Sequence, residues 1–280
     1  MQQANTHLSE LVERSEAEAM HLWLSGLPEP QRSTLRTSAV RLAGGVVCTM
    51  ANDPVNYWSK ALGFGFESPV DARLVREVVE VFRARGVREA TIQIAPGNLP
   101  SDWDDIRSAH GLTRGNPWVK LAGEIDVDVT AAEPRESRVR VGRVHADRVA
   151  EWADVVFSGF GMPPADLGRM AESSTRSASS LPFAAWLGDE MIGGASLFLH
   201  GETAHLFGAS TLPGFRGLGA QSSLIAARAQ AAREAGARWL VGETGKPDAD
   251  GESASLSNML RAGLKPLYER ENWEWSDTAL

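Results

Sequence analysis

The residues best suited to do chemistry lie in a glycine-rich stretch at positions 210–224, STLPGFRGLGAQSSL. Gly217 and Gly219 allow successive backbone N–H groups to turn toward one point. The next residues begin a helix, whose first N–H groups and positive dipole end face the same point. Arg216 adds a full positive charge beside them. The stretch therefore predicts a site for an anion such as a phosphate.

Three other interpretations of this stretch were weighed. A P-loop requires Gly-Lys-Ser/Thr, and Gly219 is followed by Ala220 and Gln221, which excludes it. A dinucleotide-binding turn is favoured by Glu243 at a later strand end, but residues 212–216 separate the glycines from a strand that closes an antiparallel hairpin. That alternative and an ordinary glycine-rich turn with a solvated arginine both stay open at this point.

An internal repeat supplies the elements that position this stretch. Each copy is predicted to contain a helix, a glycine stop, a strand, a short helix, a second glycine stop and a strand. In the first copy these lie at 68–86 with Ser68 as N-cap, 90–94, 103–109 and 118–121; in the second they lie at 220–235, 239–241, 253–261 and 267–270. The glycine stops are 150 positions apart (Gly86, Gly236) and 152 apart (Gly111, Gly263). This spacing favours tandem domains, although any α/β chain alternates in a broadly similar way.

The stretch from Arg216 to Gln221 resembles the acyl-CoA loop of GNAT-type N-acetyltransferases, whose pattern is Arg/Gln-x-x-Gly-x-Gly/Ala. The sequence departs from that pattern at Gln221. The surroundings also match: antiparallel strands before the loop, a long helix after it, then Glu243 and a helix carrying Asn258. The resemblance covers 138–275 clearly and 41–121 faintly. It implies an α/β fold with an α+β mixed sheet, built from tandem GNAT domains of which the N-terminal copy is degenerate.

This resemblance sets the expected domains and the expected ligand. A degenerate domain at 1–123 without a CoA loop precedes a polar linker at 124–137 and a GNAT N-acetyltransferase domain at 138–280. The co-substrate implied is acetyl-CoA, with no metal. For Asn258, a role on the helix surface or as a helix cap is an equal alternative to contact with the cofactor. The cofactor-binding residues implied are Thr211, Leu212, Arg216, Gly217, Leu218, Gly219, Ala220, Gln221, Ser222 and Asn258.

Acyl transfer to an amine requires a proton acceptor and tolerance of the departing thiolate. Glu243 is the candidate base, directly or through water, and the alternative is an exposed loop carboxylate or a hydrogen bond between a helix and a loop. Many family members carry a tyrosine acid four residues before the glycine matching Gly263, and here that residue is Met259. Tyr268 or Ser255 substitutes for it, or no acid is needed, because a thiolate leaves tolerably unaided. Met259 also motivates the runner-up, a non-catalytic acyl-CoA-binding or scaffold protein.

Composition restricts the partners and the compartment. The 280 residues carry a formal charge of −8, which argues against nucleic acid as a partner. No apolar stretch approaches the length of a membrane span, and a single cysteine, Cys48, favours the cytoplasm. His200, Glu202 and His205 lack a further partner for a metal. The expected acceptor is an amine on a small molecule or peptide, and neither its identity, the acyl length nor the oligomeric state is fixed by the sequence.

The first copy is predicted to bind no acyl-CoA. Its equivalent segment, 60–71, keeps two glycines but has no arginine at the rim. Glu67 and Asp71 place carboxylates at the helix start, where they repel an anion. Pro69 lacks an N–H to donate. One acyl-CoA per chain is therefore expected.

Overall fold

The structure, a computed structural model, describes residues 2–127, 129, 138–247, 251 and 253–277. Of the predicted linker 124–137, residues 128 and 130–137 lie outside this range. The described residues form eight α-helices. These are α1 (Gln2–Ser25), α2 (Gln31–Leu35), α3 (Ala72–Arg85), α4 (Trp103–Ala109), α5 (Val149–Gly159), α6 (Pro164–Ser174), α7 (Ala220–Glu234) and α8 (Ala254–Arg261).

Thirteen strands are formed by the same described residues, and they make two mixed sheets. The strands are β1 (Thr37–Leu42), β2 (Gly45–Met50), β3 (Lys60–Leu62), β4 (Glu89–Gln93), β5 (Thr113–Arg114), β6 (Trp118–Glu124), β7 (Val139–Arg143), β8 (Ser180–Leu187), β9 (Glu190–His200), β10 (Thr203–Thr211), β11 (Trp239–Gly245), β12 (Lys265–Arg270) and β13 (Asn272–Ser276). This confirms the predicted α/β fold with mixed sheets.

The chain divides into two compact units. The first comprises Met1–Val119 and Tyr268–Leu280, and the second comprises Lys120–Leu267. The predicted domains, 1–123 and 138–280, have different bounds, chiefly because the end of the chain joins the first unit. There β13 pairs antiparallel with β4, from Asn272 opposite Gln93 to Ser276 opposite Glu89.

The first sheet has the order β1-β2-β3-β4-β13-β5. Helix α3 lays a stripe of apolar side chains on the first unit's core because they recur at helical spacing. The core also takes aromatic rings from α4 and β13, where Trp103 and Trp273 meet edge to face at 5.2 Å between centroids. The buried residues of α3 are Leu74, Val75, Val78, Val79 and Phe82.

Helix α3 begins later than the sequence predicted. Ser68 was expected to be the N-cap, but the cap is Asp71, whose side chain accepts a hydrogen bond from the backbone N–H of Leu74 at 2.8 Å. A carboxylate is a strong capping group, and it satisfies a donor that the first helical turn leaves unpaired. The competing signal from Pro69 in a first turn therefore did not set the boundary.

The second sheet has the order β12-β6-β11-β10-β9-β8-β7. Its central strands are nearly continuous apolar runs because both faces are covered. Trp152 on α5 is fully buried and its indole N–H donates to the carbonyl of Phe183 at 2.9 Å. Leu224 on α7 is buried as well.

The two sheets share one pattern at corresponding places. In each sheet there is a parallel strand pair, which is β3 with β4 in the first and β10 with β11 in the second. The next strand across the sheet is an added strand from the other half of the sequence. Beside it lies a strand that comes directly after a short helix in the chain. In the first sheet the added strand is β13, and in the second it is β6. The prediction had 118–121 closing the first copy, whereas β6 lies in the second sheet.

The C-terminal ends of α3 and α7 share the same pattern of backbone hydrogen bonds. After α3, the N–H of Gly86 donates to Arg83 and that of Val87 to Phe82; after α7, Gly236 and Ala237 make the same two bonds. Both glycines adopt positive φ, 72° and 75°, as this C-terminal motif requires. The glycine spacing seen in the sequence therefore corresponds to matching local structure.

Candidate active site

The glycine-rich loop joins the end of β10 to the start of α7. Gly217 and Gly219 have φ of 82° and 84°, a region that favours glycine, and a Cβ added at either would meet no atom within 4 Å. Gly219 is the N-cap of α7, and no side chain of the described residues caps the helix there. The first N–H groups of this fifteen-residue helix thus have no side-chain cap among the described residues, and an uncapped helix start is an arrangement that binds anions.

Arg216 does not project freely from the loop. Its Nη2 donates to the carbonyl oxygen of Gly159 at 3.1 Å, and its Nε donates to that of Thr211 at 3.4 Å. The arginine therefore ties the loop to the last turn of α5 and to the end of β10. Its charge stays beside the loop, on an exposed residue.

The end of β10 packs closely against α5. A Cβ on Gly159 would lie 2.4 Å from Oγ of Ser210, and that hydroxyl donates to the carbonyl of Val156 at 2.7 Å. Leu212 donates its N–H to Ile192 at 2.9 Å, so one backbone donor of the predicted cofactor-binding set is already used. Leu218, by contrast, is exposed, while Ala220 is buried.

Strands β10 and β11 pair over only part of their length. Among their described residues they pair in parallel only from Thr203 to His205, opposite Trp239 to Val241. The register of β10 with β9 shifts between Phe207 and Ser210. The parallel pairing of the two strands therefore stops before β10 reaches the loop.

Gln221 points away from the loop and toward α8. Its Nε2 donates to Oγ of Ser255 at 3.2 Å, and its Oε1 accepts from Nδ2 of Asn258 at 2.6 Å. Ser222 donates to Oδ1 of Asn258 at 3.1 Å. Asn258 and Ser255, two predicted site residues, are thus engaged with the first turn of α7. Because the Gln221 side chain turns away, the departure from the family pattern leaves backbone approach to the loop open.

Glu243 lies on β11 in a buried cluster. Lys120 Nζ on β6 donates to Glu243 Oε2 at 3.0 Å, and His205 Nε2 on β10 lies 2.9 Å from the same oxygen and 3.1 Å from Oε1. The exposed fractions of the side chains are 1% for Lys120, 7% for Glu243 and 0% for His205. The alternative of an exposed loop carboxylate is therefore wrong.

Met259 is buried against this end of the sheet. A Cβ on Gly242 would meet its Sδ at 3.2 Å, so the glycine makes room for the thioether. Met259 supplies no proton to a leaving group.

Tyr268 belongs to the first unit, whereas Glu243 belongs to the second. Its hydroxyl donates to Oε1 of Glu13 at 2.8 Å, next to Arg270, which pairs with Glu13 and Glu16. Burial, with the negative charge of Glu13, raises the pKa of Tyr268 well above its ordinary value. These contacts describe a structural network, and they give the predicted acid role of Tyr268 no support.

Two members of the Glu243 cluster were missed by sequence reasoning. Lys120 was treated only as part of a strand, although a lysine inside the apolar run Val119-Lys120-Leu121-Ala122 is unusual for a buried strand. His205 was considered only as a metal ligand. Among the described residues no group of three or more His, Cys, Asp or Glu side chains is placed to hold a metal.

The fold and the site together define an acyltransferase-like α/β domain, with an uncapped helix start next to the end of β10. Residues 146–250 match the family model described as Acetyltransferase (GNAT) family, so this segment is a GNAT domain, as its sequence resemblance implied. No curated protein matches the chain significantly.

Solved structures resemble the chain over most of its length. A GCN5-related N-acetyltransferase from Kribbella flavida superposes with a TM-score of 0.62 at 18% identity, covering 95% of each chain. One from Sphaerobacter thermophilus gives 0.59 at 15%, covering 86% of this chain and 76% of the other. A tandem GNAT protein from the clavulanic acid biosynthesis pathway gives 0.56 at 15%, covering 95% and 94%. At these identities the likeness establishes the fold, which is that of tandem GNAT proteins.

Proposed function

We propose that the second unit transfers an acetyl or other short acyl group from acyl-CoA to an amine. The observation that carries this proposal is the uncapped start of α7 at Gly219, next to the end of β10, where the parallel pairing of β10 with β11 has already stopped. A pyrophosphate needs several convergent donors, and a helix start supplies them. Gly217, Gly219 and the first residues of α7 would hold it, with Arg216 keeping the loop in place.

Acyl-CoA supplies a thioester carbonyl that an amine can attack. In the step, an N–C bond forms, the C–S bond breaks, the sulfur leaves as thiolate and the amine gives up one proton. We propose that Glu243 takes that proton through an intervening water, since its side chain is 7% exposed and its oxygens already lie within hydrogen-bond distance of Lys120 and His205. The proton then passes to solvent. No acid residue is assigned, because the thiolate leaves tolerably unaided.

A second function, binding of acyl-CoA without turnover, is favoured by one observation. Met259 occupies the place of the usual tyrosine and is buried. This alternative shares the loop with the enzyme but makes no product. The dinucleotide-binding alternative is weakened by β9 and β10, which pair antiparallel before the loop.

The experiment is a thiol-release assay with acetyl-CoA and a panel of small amines and peptide amines. The enzyme releases CoA only when a suitable amine is present, whereas a binding protein retains acetyl-CoA unchanged. The chain adds no reactive thiol of its own, because burial raises the pKa of Cys48, its one cysteine, to about 12. NADH binding in place of CoA would contradict the proposal.

The compartment also remains a proposal. Among the described residues, none of the helices combines the length and apolarity needed to cross a bilayer. The single buried cysteine is compatible with the cytoplasm, which we keep as the proposed location.

A further inference from the structure

A buried ion pair joins β6 to β11 in the second unit. Lys120 and Glu243 are 1% and 7% exposed, and their charged atoms are 3.0 Å apart. Burying two charges costs several kcal/mol for each ion, and their attraction often only offsets that cost. Stability alone therefore gives little reason to keep this pair in preference to neutral side chains.

The first unit has a neutral pair at the corresponding place. Gln93 lies 150 positions before Glu243, the same separation as Gly86 from Gly236. Its partner is Asn272 on β13, the added strand of the first sheet, and Gln93 Nε2 donates to Asn272 Oδ1 at 2.6 Å. The same fold position is thus filled by two amides in one unit and by a lysine and a glutamate in the other.

The parallel strand pairs confirm that these places correspond. In the second unit His205 is opposite Val241, and in the first Lys60 is opposite Thr91, which is also 150 positions before Val241. Glu243 and Gln93 each lie two residues further along, on the same face of their strand as that register position. The comparison shows that the architecture accepts an uncharged pair here.

We infer that Lys120 is a positioning residue for acyl transfer, which holds the Glu243 carboxylate ionised and oriented toward His205. This inference rests on the proposed function of the second unit. Burial alone disfavours the charged form of a carboxylate, and a protonated Glu243 could not take a proton from the amine. The ammonium of Lys120, fixed on β6, compensates for that burial. The first unit, with Gln93 in place of the glutamate, has no carboxylate at this position to hold.

The test compares kinetics and stability in the full chain. Lys120→Asn should lower kcat by about ten- to a hundredfold, with KM for acetyl-CoA within about threefold of the wild type. It should also lower Tm, because Glu243 is left buried without its cation. Lys120→Arg, which keeps a cation, should recover part of kcat.

The double variant Lys120→Asn/Glu243→Gln installs the first unit's neutral pair. Its Tm should return toward the wild-type value, while its kcat should equal that of Glu243→Gln alone, since Lys120 acts through Glu243. If Lys120→Asn fails to fold, this double variant still carries the test. The matched control is Glu124→Gln, which breaks the exposed ion pair of β6 with Arg238 (3.0 Å) and should leave kcat unchanged.

Three outcomes overturn the inference. A folded Lys120→Asn variant with wild-type kcat shows that the cation is dispensable for acyl transfer. A double variant with wild-type kcat shows that the whole ion pair is dispensable. The double variant can also have a kcat lower than that of Glu243→Gln by the same factor by which Lys120→Asn lowers the wild-type kcat. That result shows that Lys120 acts independently of Glu243. Failure of the wild type to acetylate any amine instead contradicts the proposed function, and the inference falls with it.

Discussion

At the scale of single residues, Gly219 is the position where backbone geometry and the proposed ligand binding coincide. Its φ of 84° suits glycine, and the space beside it is open. We expect Gly219→Val to weaken CoA binding by about 1 to 3 kcal/mol, because the side chain strains the loop and blocks the N–H groups. Titration calorimetry measures the CoA affinity of the variant and of the wild type.

The matched control for that substitution is Gly214→Val. Gly214 also has open space around it, but its φ lies outside the left-handed region. The Gly214→Val variant should bind CoA with the affinity of the wild type. An unchanged CoA affinity in a folded Gly219→Val variant would contradict the assignment of the loop to a pyrophosphate.

Residue types alone identified the loop but not the partners of its charged groups. Arg216 was placed correctly beside the loop, yet its bonds to Gly159 and Thr211 depend on where α5 ends, and local sequence does not encode that. Glu243 was proposed as a base because the sequence placed it at a strand end, and β11 in fact continues to Gly245. Lys120 is 123 positions away from it, and only the strand order of the folded sheet brings the two together.

At the scale of elements, the contact between α7 and α8 is made by polar side chains. Gln221 bonds to Ser255 and Asn258, and Ser222 bonds to Asn258. Gln221→Ala removes two of these hydrogen bonds, each of which contributes about 0.5 to 1.5 kcal/mol. We expect Tm to fall and CoA binding to weaken severalfold, because Asn258 loses one of its two hydrogen bonds to α7. Calorimetry and thermal unfolding measure both.

Gln230→Ala on the same helix is the control. Gln230 is exposed and its Nε2 bonds to Glu234 one turn away, so the CoA affinity should stay the same. Tighter CoA binding in Gln221→Ala would show that the glutamine obstructs the loop, contrary to the orientation described above.

Element boundaries were predicted well where a single signal dominates. Helix α4 spans Trp103–Ala109, as expected from its pattern, and Ser253 caps α8. At the start of α3 two capping signals compete, and Asp71 prevailed over Ser68. The destinations of β6 and β13 could not be predicted, since strand propensity specifies a strand but not the sheet that it joins.

At the scale of the whole molecule, the first helix and the end of the chain meet in a buried network of the first unit. Arg270 Nη1 lies 2.5 Å from Glu13 and 2.7 Å from Glu16, and Tyr268 donates to Glu13. Its components are separated by more than 250 positions in the sequence. The network therefore joins α1 to the end of β12 through buried charged groups.

Tyr268 makes this network sensitive to alkaline pH. Its pKa is raised in the folded chain, so above about pH 10 the unfolded chain loses the phenolic proton while the folded chain keeps it. The free energy of unfolding should then fall by up to about 1.4 kcal/mol per pH unit from this group. Chemical denaturation between about pH 9 and 11 should show a steeper fall for the wild type than for Tyr268→Phe. Equal slopes would contradict the assignment.

The two units differ in their glycine-containing segments, which bears on ligand stoichiometry. In the first unit a Cβ on Gly63 would lie 2.9 Å from Ala17, and one on Gly65 would lie 2.6 Å from Asn98. Asp71 already caps α3. We therefore expect one CoA per chain by titration calorimetry, with that single binding event weakened by Gly219→Val in the second unit's loop. A stoichiometry near two would contradict the proposed degeneracy of the first copy.

The most direct test of the central claim is mass spectrometry of the products formed by the full chain with acetyl-CoA and a broad panel of amines. The proposed function predicts an N-acetylated amine together with an equal amount of free CoA, and loss of product in Glu243→Gln. Stoichiometric binding of acetyl-CoA with no acetylated amine across the panel would contradict the claim and favour a binding protein.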